Sequence, residues 1–306
     1  EAYQIIQEGM QRGLDSNGFH NRLYIIGFLK QDAQLMERQV AWFAGRPDEY
    51  QIRELQARAL AFAGRRREAS ASLAQAAALA QARGLPAERA RILANDFNLS
   101  ATFGLSQLAG KQSDLVLALL ANENISSEEL QPSLIGQLDS QPLAWSLALS
   151  GDAKRAQTLA DDFSKKFPLD TIHNSVWLPI IRATVELKRG EAAAGTDRAV
   201  TLLPPSKQYE AALSFRPTWV RGLAYLHARD GAMAAAEFQR IIDHRGWDVL
   251  SPLWPMAHLG LARATTLQGD VASARKAYED FFQLWKDADA DLPIMIEARR
   301  EYEKLK

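Results

Sequence analysis

The sequence predicts an all-α fold: a right-handed superhelical solenoid of about seven helix-turn-helix units, finished by a C-terminal capping helix. Three observations predict it. Alanine is abundant while valine, isoleucine and threonine are sparse, which favours helix over sheet. Short polar turns recur near residues 31, 64, 104, 151, 190, 230 and 269, with separations of about 33 to 47 residues. After each turn a small residue is followed four positions later by a second packing residue, so that two antiparallel helices can cross closely.

Taken in order, the first unit (17–48) turns at Gln31-Asp32 and continues with Met36 and Val40. The second (50–86) turns at Gly64, followed by Ala69 and Leu73, and the third (88–126) at Gly104, followed by Ala109 and Ser113. The fourth (137–168) turns at Gly151-Asp152, with Ala156 and Ala160, and the fifth (176–204) at Gly190, with Gly195 and Ala199. In the sixth (215–244), Gly222 and Ala234 leave room at the crossing, Tyr225 and Phe238 fill the space beside it, and Glu237 is expected on the more exposed side. The seventh (255–286) turns at Gly269-Asp270, with Ala274 and Tyr278. Prolines mark the connections between units, at 84–86, 130–134, 203–209 and 251–255, because proline cannot continue a helix and restricts the residue before it. The tail 293–306 is expected to cap the array, with Ile294, Ala298, Tyr302 and Leu305 on one face and the acids Asp287, Asp289 and Asp291 placed to favour its N-terminus.

Charge and composition narrow the function classes. With 36 basic and 37 acidic residues the net charge is −1, so no overall field draws the chain to nucleic acid or to an anionic membrane. The run Arg65-Arg66-Arg67 precedes a helical segment and is read as a solvated helix start. There are no cysteines, which excludes disulfides, thiolate zinc sites and cysteine nucleophiles. No apolar run approaches the roughly 18 residues of a membrane span. Glu1 in place of a methionine is read as the start of a piece of something longer, with any anchor or catalytic domain upstream.

The chemical motifs all fall short. "GLSQLAGKQ" (104–112) imitates a phosphate loop, but has one residue too many between its glycines and Gln112 where a magnesium-binding hydroxyl belongs. Asp287, Asp289 and Asp291 imitate a calcium loop whose sixth place holds Leu292 and twelfth holds Ala298, instead of glycine and glutamate. The five histidines form no pair at four-residue spacing, so no zinc ligand set is read. The glycosylation patterns at Asn98 and Asn124 are read as unused. No metal, no cofactor and no catalytic constellation is expected.

The repeated units resemble the tetratricopeptide repeat (TPR), whose minimal period is about 34 residues. The stretches "WVRGLAYL", "AAAEFQRIIDHRG" and "AHLGLARATTLQGDVASARKAYEDFFQLWKDADADLPIMIEARREYEKLK" are similar to the C-terminal repeat region of soil-bacterial, acidobacterial-type serine/threonine protein kinases and related winged-helix regulators. "LYIIGFLKQDAQLMERQVAWFAGRPDEY" and "LADDFSKKFPLDT" resemble the same region. The resemblance implies a non-catalytic regulatory part of a larger signalling protein. The kinase motifs themselves are absent: "DFN" and "DFS" lack the glycine of the metal-binding turn, and "HRG" lacks the catalytic aspartate.

The leading expectation is therefore a protein–protein interaction scaffold that holds a protein or peptide in a concave groove lined by first helices. Counting from each turn, the groove residues are Arg58, Arg91, Asn95, Asn98, Trp145, Trp177, Trp219 and Arg263. The competing reading makes the tryptophans core and the arginines and asparagines solvated surface. Two other functions stay open: a small-molecule sensor whose pocket is closed by "PPSKQYEAALSFRPTW" and "HRGWDVLSPLWP", with Trp247 and Trp254 suited to apolar solutes, and self-assembly as a homodimer through a terminal unit. The compartment, on either side of a bacterial membrane, is open too.

Overall fold

The computed structural model describes residues 1–122, 142–190, 192–202 and 215–305. Helices hold 80% of them, with no strand among the described residues. After a leading helix, α1 (Ala2–Gln11), seven helix pairs follow. They are α2 (Asn17–Lys30) with α3 (Ala33–Phe43), α4 (Glu49–Phe62) with α5 (Arg66–Ala82), α6 (Pro86–Thr102) with α7 (Ser106–Asn122), and α8 (Pro142–Ser150) with α9 (Ala153–Lys166). A π-helical turn, His173–Trp177, leads into α10 (Leu178–Arg189), which pairs with α11 (Ala192–Leu202). Then come α12 (Arg216–His227) with α13 (Gly231–Asp243), α14 (Leu253–Leu267) with α15 (Val271–Leu284), and a last helix, α16 (Pro293–Glu303). The expected unit limits at 126, 137 and 204, the proline connections at 130–134 and 203–209, and Asn124 lie outside the described residues.

The turns have a local cause. Gln31, Gly64, Gly104, Gly151, Gly190, Arg229 and Gly269 each take a left-handed conformation (φ +56° to +93°) between the two helices of a pair. In four of these turns an aspartate follows directly. Its backbone N–H donates back to the carbonyl five residues earlier (Asp32 to Gly27, Asp152 to Leu147, Asp230 to Tyr225, Asp270 to Thr265, 2.9–3.1 Å), which ends the first helix. Its side chain accepts from the N–H three residues later (2.8–3.1 Å), which starts the second.

Packing across the pairs uses bare backbone opposite large rings. Phe238 is fully buried. A β-carbon built on Gly222 of the same pair would lie 2.8 Å from its ring, and one built on Gly260 of the next pair 2.5 Å from it. The ring thus sits between two glycine backbones. In the first pair Gly27 receives Met36 in the same way. Glu237 departs from the expected exposed position. It is buried, and Arg221 of α12 donates to both its oxygens (3.0 and 2.7 Å), forming an ion pair inside the crossing. A charged helix residue can be buried when a partner on the facing helix neutralises it, and helix periodicity alone does not show that partner.

First helices form an inner row: α2 meets α4, α6 meets α8, α8 meets α10, α10 meets α12, and α12 meets α14. The row then returns on itself, because α14 also packs on α4. Gly64 lies under Trp285 and Ala288, the Trp285 indole donates to the Phe62 carbonyl (2.9 Å), and Asp289 N–H donates to the Gly64 carbonyl (3.2 Å). Phe62 stacks on Trp254 (5.8 Å). Leu250 enters a small core with Tyr24, Phe43, Ile52 and Leu55. The array is therefore closed, with its second pair joined to its seventh.

Two charged segments have roles different from those expected. Asp289 does not cap α16. Its carboxylate accepts from Arg67 N–H (2.8 Å) in the first turn of α5, where a negative charge is favoured by the helix dipole, and Asp291 pairs with the Arg67 guanidinium (2.5 Å). The basic run is likewise engaged and not merely solvated: Arg65 pairs with Glu68, and Arg66 donates to Ser100 (2.8 Å). In α16 the inward stripe is Met295 and Ala298, both buried, followed by the half-buried Tyr302 and Leu305, while Ile294 is only half-buried at the edge.

Candidate functional site

The inner row encloses a cavity of about 80 Å3 where the two ends of the array meet. α4 supplies Glu54, Ala57, Arg58 and Ala61, spaced three and four apart on one helical face. α6 supplies Asn95, Asn98 and Thr102 by the same periodicity. Trp145 of α8 and Arg216 of α12 close one side, and Asp248, Ser251, Pro252 and Leu253 close the other. Asp248, Ser251 and Pro252 belong to the connection before α14 and Leu253 begins that helix, so a linker supplies most of this wall.

Its polar groups are already organised. Arg58 and Asp248 form an ion pair (2.6 Å) across the closure. Arg91 lies behind the wall, almost fully buried, and grips Glu54 through both terminal nitrogens (2.8 and 2.6 Å) while also pairing with Glu88 (2.7 Å). Burial opposes its charge, but the two carboxylates outweigh burial and hold the guanidinium above its ordinary range. Asn95 donates to Glu54 (3.2 Å) and Asn98 to Ser146 (2.7 Å). Each asparagine keeps a second N–H and its carbonyl oxygen outside these bonds.

The eight expected groove residues separate into three groups. Arg58, Asn95, Asn98 and Trp145 meet at the cavity. Arg91, Trp177 and Trp219 are in the interior: Trp177 is 2% exposed beneath the Arg216 guanidinium (5.6 Å), and Trp219 packs edge-on against Phe238 (5.4 Å). Arg263 lies in a different groove, held by Glu301 and Glu297 at 2.9 Å each. Trp145 is itself only 1% exposed, donates to Thr184 (3.1 Å) and has the Arg216 guanidinium over its ring (5.5 Å). Trp247 and Trp254 do not line the cavity. Trp247 stacks on Phe215 (6.2 Å), and Trp254 donates to the Ile242 carbonyl (3.1 Å) and stacks on Phe62. Glu54 and Arg216 were not singled out from sequence, although Glu54 lies one turn before Arg58.

Other imitations resolve into structure. The 104–112 stretch is a helix-to-helix turn leading into α7, and Gln112 donates to Asp96 (2.5 Å). No group of three histidine, aspartate or glutamate side chains among the described residues is arranged to hold a metal ion. No described helix is long and apolar enough to cross a membrane.

No protein-family model matches the chain, and no curated protein matches it. Among solved structures, the TPR domain of P58(IPK) aligns with 99% of this chain and 92% of its own, at 11% identity and a TM-score of 0.31. A superposition that loose carries no argument, and the architecture rests on the helix pairs themselves.

Proposed function

We propose that this chain is a non-catalytic interaction module that holds a protein or peptide partner on its inner face, with the central cavity as the point of contact. The observation that supports this reading is the convergence of Arg58, Asn95 and Asn98, from two neighbouring pairs, on one cavity floored by Ala57, Ala61, Leu73 and Leu99. The asparagines offer donors and acceptors at the spacing of successive helical turns, which suits an extended backbone, and the floor suits one small apolar side chain. The sequence resemblance adds a context: the regulatory part of a larger bacterial signalling protein such as a serine/threonine kinase.

The test is a panel of labelled extended peptides read by fluorescence polarisation. A ligand of about micromolar Kd should lose at least about tenfold in affinity in an Asn95→Ala/Asn98→Ala variant whose melting curve matches the parent. Equal affinity for both chains would refute the reading. A second reading has its own support: Asp248, Ser251, Pro252 and Leu253 wall the cavity, as a small-molecule sensor would require. Under that reading small neutral solutes, and no peptide, raise the melting temperature.

A further inference from the structure

Arg58 and Asp248 face each other across the central cavity, and they meet differently from the other inward ion pairs. Arg91 takes Glu54 with two nitrogens, and Arg221 takes Glu237 with two, at 2.6–3.0 Å. A two-pronged pair adds geometric restraint to the attraction of the charges. Arg58 reaches Asp248 with Nη2 alone, 2.6 Å from one carboxylate oxygen. The pair is also wetter: its side chains are 22% and 12% exposed, against 4% and 7% for Arg221 and Glu237. A guanidinium carries five N–H donors, and Arg58 makes no other hydrogen bond among the described residues.

The closure of the array does not depend on this pair. Trp247 stacks on Phe215 (6.2 Å), and Leu250 is buried among Tyr24, Phe43, Ile52 and Leu55, so the chain is anchored on both sides of Asp248. Trp285 and Asp289 hold the end of α4 separately, through the Phe62 and Gly64 carbonyls. The Asp248 backbone is extended (φ −153°, ψ 90°). It therefore lays a carboxylate on Arg58 much as one residue of an extended peptide would. Being part of the same chain, that carboxylate is present at an effective concentration on the order of millimolar or higher.

We propose that Asp248 is an internal occupant of the partner's site: its carboxylate holds the place on Arg58 that an acidic side chain of the bound segment takes over. This rests on the reading of the central cavity as the point of contact. It adds the charge of the partner, an extended segment with an aspartate or glutamate opposite Arg58, and a built-in brake on its affinity. The one other carboxylate on the lining, Glu54, is neutralised by Arg91, and Arg216 adds a second guanidinium. By linkage, a partner that takes Arg58 from Asp248 loosens one tie between α4 and the connection before α14.

The test uses the full chain, its Asp248→Asn variant and three short probes in titration calorimetry: acetyl-Ala-Asp-Ala-amide, acetyl-Ala-Asn-Ala-amide, and acetyl-Ala-Asn-Ala with a free C-terminal carboxylate. Asp248→Asn should bind the aspartate probe saturably, with a Kd below about 10 mM, and at least about tenfold more tightly than the parent chain does. The blocked asparagine probe should not distinguish the two chains. Adding Arg58→Gln to Asp248→Asn should remove the gain. Equal binding of the aspartate probe by parent and variant, a gain that survives the loss of Arg58, or a gain confined to the free carboxylate probe would overturn the proposal. So would an Asp248→Asn chain that does not fold, since the pair would then be a strut of the closure and not a displaceable occupant. The peptide reading itself is judged by Asn95 and Asn98 and survives any of these results.

Discussion

Adding one methyl group at Gly260 should destabilise the protein, although helix propensity alone says the opposite. In a helix interior, glycine to alanine gains about 1 kcal/mol. At Gly260 the new carbon would stand 2.5 Å from one edge carbon of the Phe238 ring and 2.6 Å from another. Carbon atoms rest at about 3.5–4.0 Å, so the ring would have to retreat by about 1 Å. It cannot do so freely, because the Gly222 backbone stands on its other side. Overpacking costs about 1–3 kcal/mol, and contacts this short place Gly260 in the upper part of that range, at about 2–3 kcal/mol, so packing outweighs propensity and Gly260→Ala should lose about 1–2 kcal/mol net. Gly110 in α7 is the control, since a methyl there meets nothing within 4 Å. Gly110→Ala should therefore gain about 0.5–1 kcal/mol. Urea unfolding followed by far-ultraviolet circular dichroism reads both, provided the slopes agree. Phe238→Leu in the Gly260→Ala background should recover part of the loss, because the two positions are in contact. If both alanines raise the midpoint alike, the ring is not held between two backbones and the packing register is wrong.

Three further outcomes follow from particular contacts. Glu237→Ala strands the buried Arg221 guanidinium and should cost about 3 kcal/mol in the same unfolding assay, against under about 0.5 kcal/mol for an exposed glutamate. Arg229→Gly should stabilise by about 0.5–1 kcal/mol, because a residue with a β-carbon now occupies a left-handed turn (φ +59°). His173 is buried, donates from Nε2 to the Ala160 carbonyl (3.1 Å), and has no partner for Nδ1 among the described residues. Burial therefore holds its pKa below the ordinary value of about 6.5. The unfolded chain takes up a proton there first, so stability is full above about pH 6.5 and falls as the pH drops below it. In His173→Gln the melting temperature should fall less steeply between about pH 7 and pH 5, and an unchanged slope would contradict this.

The turns were legible because their cause is local. A left-handed residue followed by a capping aspartate occupies a few consecutive positions, and the packing periodicity is counted from it. α1 was not read from the sequence. It has no side-chain cap, and its burial depends on Ile6 meeting Leu23 and Leu35 and on Gly9 admitting the Phe19 ring, contacts made by the next pair. Glu237 and the acids near 289 show the opposite limit. Each has a plausible local role, solvated surface or helix cap, and each is claimed by a partner on another helix, 16 and 222 residues away. For the candidate site, helix register indicated which side chains face inward at Arg58, Asn95 and Asn98. It did not separate an inner face from a pair's own interface, where Trp177 and Trp219 lie, or indicate that a linker would supply Asp248.

An open stack of helix pairs can gain or lose a unit at either end without consequence for the rest, since each unit touches only its neighbours. The contact between Trp285 and Phe62 removes that freedom. Neighbouring helices pack about 8–10 Å apart, so inserting or deleting one pair would displace the indole by about that distance from the carbonyl it now meets. The molecule in effect counts its repeats. Sequence drift in a lineage of such chains should be free to alter the side chains of any pair, but not the number of pairs between the second and the seventh.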